Sequence, residues 1–553
     1  MQEVIGCIRT AFPDTHWVLD EMVAEVISIG WCIPSRIGWI RDTGATMNPL
    51  SQPVRCHSGV TSVSAVLSLL LALCGYLAAG CGSTGMPPVT VPPPPTSLAV
   101  VVSSTANGQF TNFYVDITSL SLTNQAGTTV SVLAAPQSQA FTQTQEAEFI
   151  HLNGHMAPFL TAMVPQDVYT QATLTYTYAQ FTHVSLNASG ALATVTDAVG
   201  GPNSIPQTAS VNLPAPLAIH GSAMAVLLDL QVSSSATFTN QGAGQPDTYA
   251  ITPMFKLTPA APMPQSQVQV KGVDGLVSSI NSGSDSLSLM IDYGFNNPSY
   301  PDGSTFTLAT NASTVYQGIG NFSALAVGMI ANLDLTLQSD GSLLATRIEV
   351  DDPGATNVLT GPLGTVFGSQ GDIVELGRTN EEFNQSVVPG STIMYYSFDA
   401  STAFKLSGEI AVPSNLPFSA KFDSSNLIAG QNVSVASQVI VTSGGRYTHA
   451  TTITLVPQTI NGTIAGVSSS GGFTVYSVSL AAYNLFPILA VQPGQTTALR
   501  NPSSVEVYVD SNTQMLNSDP VAPGNVLRFN GLIFNDSGTA RMVCWQVHDG
   551  VAE

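Results

Sequence analysis

The sequence predicts an all-β protein: an N-terminal antiparallel β-sandwich followed by three small β-barrel modules of the oligosaccharide-binding type. Three observations support this fold class. Apolar residues alternate with Ser, Thr, Asn and Gln over many short runs, which is the period of a strand. Clusters of Asn, Gly, Ser and Pro separate these runs and predict turns. A pattern then recurs three times between residues 268 and 550, which indicates a repeated module.

The chain carries unusually little charge. Of its 553 residues, 9% are charged, with 14 Lys and Arg against 35 Asp and Glu, while 44% are hydrophobic. No Lys or Arg occurs between Arg55 and Lys256. Because nucleic-acid binding takes most of its affinity from cations that neutralise phosphates, we exclude DNA and RNA as partners. The apolar content also differs from that of disordered chains, which combine high charge with low hydrophobicity.

The N-terminal region has the pattern of an export signal. Residues 47–80 combine the basic Arg55 with an apolar run over 60–79 and a small-residue exit, as in a secretory signal peptide. The alternative is an uncleaved membrane helix, since about 20 apolar residues can just span a bilayer. Residues 1–46 precede a plausible start at Met47, and we interpret them as a mis-called or disordered extension.

The end of this segment predicts lipidation. Its last residues, Leu77-Ala-Ala-Gly-Cys81, resemble the bacterial lipobox, in which the Cys is acylated and becomes the new N-terminus. The resemblance makes Cys81 the lipidation site and implies an anchor in the membrane. Residues 81–96 follow as a Pro-rich linker, whose fixed φ angles favour an extended spacer. Beyond Cys81 the chain has one other cysteine, Cys544, so no disulfide within the mature chain is expected.

Residues 97–260 are predicted to form the sandwich. Phe113, Val115 and Ile117 alternate with polar residues, and we expect one face of this strand in the core and the other in solvent. A helix is expected near 155–163. The segments F-Y-V-D-I-T-S-L-S-L from Phe113, E-F-I-H-L-N-G from Glu148, V-P-Q-D-V-Y-T-Q-A-T-L-T-Y from Val164, L-L-D-L-Q-V from Leu227 and Y-A-I-T-P-M-F from Tyr249 resemble domain of unknown function 4382, a family of exported bacterial β domains with no known activity.

The three repeats are predicted over 268–352, 358–457 and 458–550. Each has an opening Gly, a central Asx/Ser/Thr segment and a second Gly before a strand: Gly275, 311–314 and Gly328; Gly361, 399–402 and Gly430; Gly462, 510–513 and Gly524. This pattern resembles domain of unknown function 5666, a small β-barrel module found in tandem in exported proteins. The resemblance implies five or six strands per unit in a closed or nearly closed barrel.

The sequence shows no convincing catalytic, cofactor-binding or metal-binding site. His151 and His155 flank an Asn-Gly turn, so we interpret them as turn residues rather than metal ligands. The other histidines after the signal are isolated, and no catalytic Ser, phosphate-binding or zinc motif is present. The oxygen-rich loop 292–303 is interpreted as a turn rather than a calcium site. The paired acids Asp351-Asp352 and Glu381-Glu382 are expected to be solvated loop charges.

Scattered tyrosines offer one route to carbohydrate binding, although half-buried strand positions are the simpler explanation, which we favour. They are Tyr176, Tyr178, Tyr293, Tyr300, Tyr395 and Tyr396. We therefore expect a non-catalytic lipoprotein of the cell envelope, anchored at the outer membrane or cell surface, whose modules act as a spacer or interaction scaffold for a polysaccharide or an envelope protein. The alternatives are a carbohydrate- or polymer-binding surface protein and a hydrolase with a dispersed site.

Overall fold

The regular structure of the protein is almost entirely β-strand in the computed structural model, which confirms the predicted all-β class. The described residues are 92–105, 110–133, 145–150, 152–154, 156–186, 192–200, 205–239, 248–260, 269–291, 304–338, 342–355, 357–367, 372–375, 394–442, 445–481, 484–491 and 498–550. Two short helices, α1 (Val232–Ser235) and α2 (Leu485–Ala490), and a 3-10 turn at Phe322–Ala324 interrupt the strands. No helix within these ranges has the length and apolarity needed to cross a membrane.

The N-terminal module, called the sandwich below, contains thirteen strands. They are β1 (Thr96–Ser104), β2 (Phe110–Asn124), β3 (Thr129–Leu133), β4 (Gln145–Glu148), β5 (Ala157–Val164), β6 (Asp167–Leu186), β7 (Leu192–Gly200), β8 (Gln207–Asn212), β9 (Leu217–Ile219), β10 (Ala223–Leu230), β11 (Ala236–Thr239), β12 (Thr248–Ile251) and β13 (Met254–Pro259). The main path of its large sheet is β3-β2-β6-β8-β13-β10-β1-β5. Most pairings are antiparallel, whereas β1–β10 and β8–β13 are parallel.

The large sheet has two halves, β3-β2-β6 and β13-β10-β1-β5. Strand β8 connects them, because it pairs with β6 on one side and with β13 on the other. The two halves share one core, in which the rings of Phe149 and Phe255 lie 5.6 Å apart. Leu174 is buried in this core and its neighbour Thr173 is exposed, as the alternating pattern predicts.

Two expectations for this module are wrong. Strand β2 is buried on both faces between Phe113 and Thr118, because polar side chains pair across the strands: Thr177 donates to Asp116 at 2.7 Å, and the Thr118 and Thr175 hydroxyls lie 2.8 Å apart. The helix expected near 155–163 is instead strand β5, which pairs with β1. A short apolar run fits the periodicity of a helix as well as that of a strand. Strand β5 lies at the end of the sheet path, where a proline is tolerated.

Three six-stranded sheets follow, called the first, second and third barrels. The first contains β14 (Gln269–Asn281), β15 (Ser286–Ile291), β16 (Ser304–Ala309), β17 (Val315–Gln317), β18 (Ile330–Leu337) and β19 (Leu343–Glu349). The second contains β20 (Asn357–Val366), β21 (Asp372–Glu375), β22 (Met394–Ser397), β23 (Ala403–Leu406), β24 (Asn432–Thr442) and β25 (Gly445–Leu455). The third contains β26 (Gln458–Ser470), β27 (Phe473–Leu480), β28 (Ser504–Val509), β29 (Gln514–Met515), β30 (Val526–Asp536) and β31 (Thr539–Asp549).

The strand order is the same in all three sheets, and each closes into a ring because its third strand also pairs with its sixth. These closing pairs are parallel: β16 with β19, β22 with β25, and β28 with β31. The fourth strand then pairs with the later part of the sixth. Closure leaves few free strand edges, which limits edge-to-edge aggregation in a chain so rich in Thr and Val.

A threonine fixes the point where the sixth strand changes partner from the third strand to the fourth. The hydroxyls of Thr314, Thr402 and Thr513 donate to the carbonyls of Ala345, Ala450 and Cys544 at 2.7, 2.8 and 3.0 Å. The same hydroxyls accept hydrogen bonds from the N–H groups of Asn311, Asp399 and Asp510 at 3.0, 3.2 and 3.2 Å. The central segments predicted from the sequence are therefore equivalent turns in the three barrels.

A glycine with positive φ performs a second repeated role. Gly328, Gly430 and Gly524 have φ of 93°, 90° and 91°. Their N–H groups donate to the carbonyls of Val277, Leu363 and Ile464 at 2.9, 2.7 and 2.9 Å. This φ is unfavourable for residues with a Cβ, which explains the second glycine of the predicted pattern. The three sheets therefore repeat one another, as the sequence predicts.

Candidate functional site

A cavity in the described part of the chain lies where the sandwich and the three barrels meet. Its volume is about 290 Å³, and it is called the central cavity below. The charged and aromatic side chains in its wall come from all four modules: Asp229 from the sandwich, Lys271 from the first barrel, Glu409 from the second, and Arg528, Trp545 and His548 from the third. Apolar side chains, including Met156, Leu227 and Leu516, complete much of the wall.

Hydrogen bonds between the sandwich and the third barrel position one side of this cavity. The Arg528 guanidinium donates to Asn153 Oδ1 at 3.2 Å, and the Thr459 hydroxyl donates to the Asn153 carbonyl at 2.6 Å. Gly154 follows Asn153 with φ of 81°, and a Cβ there would lie 2.4 Å from the Thr459 hydroxyl. The absence of a side chain at Gly154 thus permits the close approach of the two modules.

Asp229 and Arg528 carry opposite charges and both line the cavity, where each is partly buried. Asp229 accepts hydrogen bonds from the Ser103 hydroxyl at 2.6 Å and from Gln231 Nε2 at 2.5 Å. Burial raises the pKa of Asp229, and the Ser103 hydrogen bond and the charge of Arg528 partly offset this rise. Burial lowers the pKa of Arg528, against the attraction of Asp229. The charge of each group therefore favours the charged form of the other.

Glu409 also lines the cavity and lies in the loop between β23 and β24 of the second barrel. It is 7% exposed, and the Ser407 hydroxyl donates to its Oε1 at 3.1 Å. Burial raises the pKa of Glu409 to about 7, although the nearby charge of Arg347 lowers it. The carboxyl group therefore keeps its proton to a higher pH than an ordinary glutamate, and in its two forms it can donate or accept a hydrogen bond.

Arg347 connects this loop to the first barrel. Its guanidinium binds Asp334 at 3.1 Å and Glu349 at 2.5 Å, while Glu349 accepts a hydrogen bond of 3.0 Å from the Gly408 N–H. The neighbouring Gly408 and Glu409 are thus held against a buried charge network of the first barrel. Positions of cavity-lining groups are set by such supporting contacts.

Trp545 and Ser104 are two further residues of the cavity wall. The Lys271 ammonium lies 4.0 Å from the centre of the Trp545 ring, which is a cation–π distance. Ser104 ends strand β1 and is 3% exposed. Its hydroxyl has no hydrogen-bond partner among the residues that the structure describes.

Several of the residues singled out by the sequence lie outside the described part of the chain. Cys81, His151, His155, the loop 292–303 and Glu381-Glu382 lie outside the described residues. Among the tyrosines, Tyr176 and Tyr396 are buried, Tyr178 is partly buried, Tyr395 is 67% exposed, and Tyr293 and Tyr300 lie outside the described residues. The described tyrosines therefore do not form one sugar-binding surface.

Two expectations about charged groups are corrected. Asp351 and Asp352 are partly buried rather than fully solvated, because they lie between the first two barrels, where Thr451 donates to Asp352 at 2.6 Å. His449 and His548 are not isolated. His548 lines the central cavity, and His449 lies between Ser397 and Asp399.

The Ser397–His449–Asp399 group has the composition of a catalytic triad but not its geometry. Ser397 Oγ lies 3.3 Å from His449 Nδ1, and Asp399 Oδ1 lies 3.9 Å from His449 Nε2. The side chain of Asp399 is 59% exposed and accepts hydrogen bonds from Ser401, as the repeated turn requires. A triad instead places a buried carboxylate in hydrogen-bond contact with the histidine.

Sequence reasoning missed Asp229, Lys271, Glu409, Arg528 and Trp545, because they come from different modules and share no local motif. One signal was available: the chain has few charged residues, and Trp545 is the one Trp beyond residue 46. In such a chain each charged or indole side chain in the body is a candidate for a specific role.

Comparison with known families finds one match, and it lies in the first barrel. A family model described as a domain of unknown function (DUF5666) matches residues 274–349, which correspond to most of the first barrel. The first barrel is thus similar to this family. No curated protein matches the chain.

Proposed function

We propose that the protein is a non-catalytic lipoprotein of the bacterial cell envelope whose β modules act as a surface spacer or interaction scaffold. The lipobox-like end at Cys81 and the Pro-rich linker 81–96 support export and anchoring. The observation that carries the scaffold role is the packing of four β modules around a shared junction, with three barrels of the same strand order. Such a body presents a wide, weakly charged surface at a fixed geometry.

Replacing the proposed acylated cysteine tests the anchor. Cys81→Ser in the native host is expected to move the protein from the membrane fraction to the soluble fraction or to leave an unprocessed precursor. Cys544→Ser is the matched control, because Cys544 is a buried free cysteine of the third barrel. Mass spectrometry of the natural product should find no unmodified peptide running across residues 75–90. Unchanged membrane anchoring of the Cys81→Ser protein would reject the lipid anchor.

We extend the module assignments in the same proposal. The second and third barrels are of the same kind as the first, because they share its strand order and its repeated hydrogen bonds. The motifs quoted above support a relation of the sandwich to domain of unknown function 4382. The location is the outer membrane or the cell surface, and the partners are a membrane, through the lipid, and a polysaccharide or an envelope protein, without nucleic acid.

A second candidate function is carbohydrate or polymer binding on the same anchor. The central cavity favours it, because it combines a Trp, buried polar groups and apolar side chains in the manner of small-molecule sites. A glycan array that carries plant and bacterial polysaccharides tests this function with the full chain. Binding of defined glycans would support it, and silence across the array would reject it.

The hydrolase alternative now has a concrete candidate in Ser397, His449 and Asp399. We propose that this group is structural. Labelling with a fluorophosphonate probe, which reacts with activated serines, is expected to leave Ser397 unmodified. Labelling that disappears in Ser397→Ala and in His449→Ala would overturn the non-catalytic proposal.

A further inference from the structure

The apolar cores divide the four modules into two pairs. One cluster of buried apolar side chains runs from the sandwich into the first barrel and includes Val101, Val270 and Leu335. Another joins the second barrel to the third, because Leu532 and Phe534 of the third barrel pack within the core of the second. The first pair of modules is called the N-terminal lobe below, and the second pair is called the C-terminal lobe.

A long loop of the second barrel strengthens the C-terminal lobe. Residues 407–431 join β23 to β24, and this loop is about twice as long as the equivalent loop 318–329 of the first barrel. The ring of Phe418 in the long loop lies 4.8 Å from Tyr508 and 6.1 Å from Phe534, both in the third barrel. Aromatic pairs at these distances stabilise a contact beyond the area that they bury. The second and third barrels are therefore held together by apolar side chains.

Polar contacts connect the two lobes to each other. The Thr459 hydroxyl and the Arg528 guanidinium of the C-terminal lobe both donate to Asn153 of the N-terminal lobe, at 2.6 and 3.2 Å. The Gly408 N–H donates to Glu349 across the same boundary at 3.0 Å. Water can replace such hydrogen bonds when the groups separate, whereas it cannot replace apolar packing.

The apolar contact that crosses the boundary is small. Ile330 of the first barrel packs against Val358 and Ala436 of the second. The Lys271 ammonium over the Trp545 ring is a further contact between the lobes. Interfaces within one chain that are neither large nor hydrophobic permit relative movement of the parts that they join.

The chain crosses between the lobes once, and the crossing has a defined bending point. The Val350 N–H donates to the Gln317 carbonyl at 3.0 Å, which holds Val350 to the first barrel. The next residue is held to the second barrel, because the Lys405 ammonium donates to the Asp351 carbonyl at 2.5 Å. A change of backbone angles at Val350 and Asp351 would therefore move one lobe against the other without breaking either anchor.

The central cavity lies on the boundary between the lobes. Asp229 and Lys271 line it from the N-terminal lobe, and Glu409 and Arg528 line it from the C-terminal lobe. We propose that the two lobes open and close about Val350 and Asp351, and that the central cavity is the closed form of the cleft between them. This inference concerns a movement of the folded body and depends neither on the lipid anchor nor on carbohydrate binding.

Trp545 reports the opening, because Lys271 of the other lobe lies over its ring. Replacing Trp17, Trp31 and Trp39 by Phe in the full chain leaves Trp545 as its one Trp. In urea below the concentration that unfolds the sheets, acrylamide quenching of Trp545 fluorescence is expected to rise at least about twofold while the far-ultraviolet circular dichroism stays constant. Quenching that rises only together with the loss of circular dichroism would overturn the proposal.

Two glycines provide a matched pair of variants in this one-Trp protein. Gly154 and Gly127 have φ of 81° and 82°, and asparagine is tolerated at positive φ. A Cβ at Gly154 would lie 2.4 Å from the Thr459 hydroxyl of the other lobe, whereas nothing lies within 4 Å at Gly127. Gly154→Asn is expected to raise the quenching of Trp545 at least about twofold without urea, and Gly127→Asn is expected to leave it unchanged.

Amide hydrogen exchange measured by mass spectrometry distinguishes opening from unfolding. The core strands of both lobes are expected to be as protected in Gly154→Asn as in Gly127→Asn, because opening leaves both apolar cores intact. Equal quenching in the two variants, whether raised or unchanged, would overturn the movement of the lobes. Loss of protection in the core strands of Gly154→Asn would overturn the division into two lobes.

Discussion

The ammonium group of Lys271 lies 4.0 Å from the centre of the Trp545 ring and so links the first barrel to the third at the wall of the central cavity. Glu409 of the second barrel lines the same cavity, and the charge of Lys271 is among those that lower its pKa. These three residues join modules that are far apart in the sequence. Substitutions at these residues therefore test how much the contacts between barrels contribute to the stability of the protein.

Removing the charge of Lys271 is expected to weaken the contact between the first and third barrels. Lys271→Met should lower the free energy of unfolding by about 1 kcal/mol, because a cation over an indole ring contributes roughly 0.5–2 kcal/mol. Lys271→Arg should retain most of this energy. Urea denaturation of both variants, combined with Trp545→Leu in a double-mutant cycle, measures the coupling. A coupling energy near zero would show that the cation–π contact contributes nothing.

Glu409 makes stability depend on pH. Its pKa is raised by burial to about 7, so the folded protein binds a proton more tightly than the unfolded chain does. The stabilisation is therefore present at low pH and is lost as pH rises through about 7, by roughly 3 kcal/mol at most. Glu409→Gln imitates the protonated form, and it should melt like the parent protein at pH 5 but at a higher temperature at pH 8.

Thermal melting of the two proteins at both pH values checks this sign. Arg347 keeps Asp334 and Glu349 as partners in the variant, so the loss of the Glu409 charge leaves that guanidinium paired. An equal drop in melting temperature at pH 5 and pH 8 would contradict the raised pKa.

The repeated threonine should have a similar energetic role in each barrel. Thr402→Val leaves the Asp399 N–H and the Ala450 carbonyl without the hydroxyl that binds both, and we expect a loss of about 1–3 kcal/mol. Thr314→Val and Thr513→Val should lose comparable amounts. Thr307→Val on the exposed face of β16 is the control and should change little. Denaturant unfolding compares the four proteins, and three unrelated losses would argue against equivalent turns.

Gly430 and Gly524 separate backbone strain from steric conflict. Both have φ near 90°, so alanine at either position should cost about 1–2 kcal/mol in backbone strain. At Gly430 a Cβ would also lie 2.8 Å from the Phe486 ring, whereas nothing lies within 4 Å at Gly524. Gly430→Ala should therefore cost about 1–3 kcal/mol more than Gly524→Ala in denaturant unfolding. Equal losses would mean that the Phe486 ring moves aside freely.

The sequence predicted the features that are set locally. Strand period, turn composition and the spacing of Gly328, Gly430 and Gly524 identified the β class and the repeated turns, because each depends on residues close in the chain. The helix expected near 155–163 failed because a short apolar run fits both periods, and pairing of β5 with β1 decided the outcome.

The candidate site was not predictable in the same way. Ser104, Lys271, Glu409 and Trp545 come from separate modules, and their meeting depends on packing between modules. Nothing in their immediate neighbours distinguishes them. The same reason explains why His449 looked isolated, since its contacts with Ser397 and Asp399 depend on the pairing of β22 with β25.

The first barrel, to which the family match is confined, contributes Lys271 as its charged side chain in the cavity wall. Two proteins that share the barrel can therefore differ in this cavity, because its wall is assembled from several modules. Divergence of the linkers and contact faces, rather than of the barrel fold, would then be the route by which such proteins acquire new ligands.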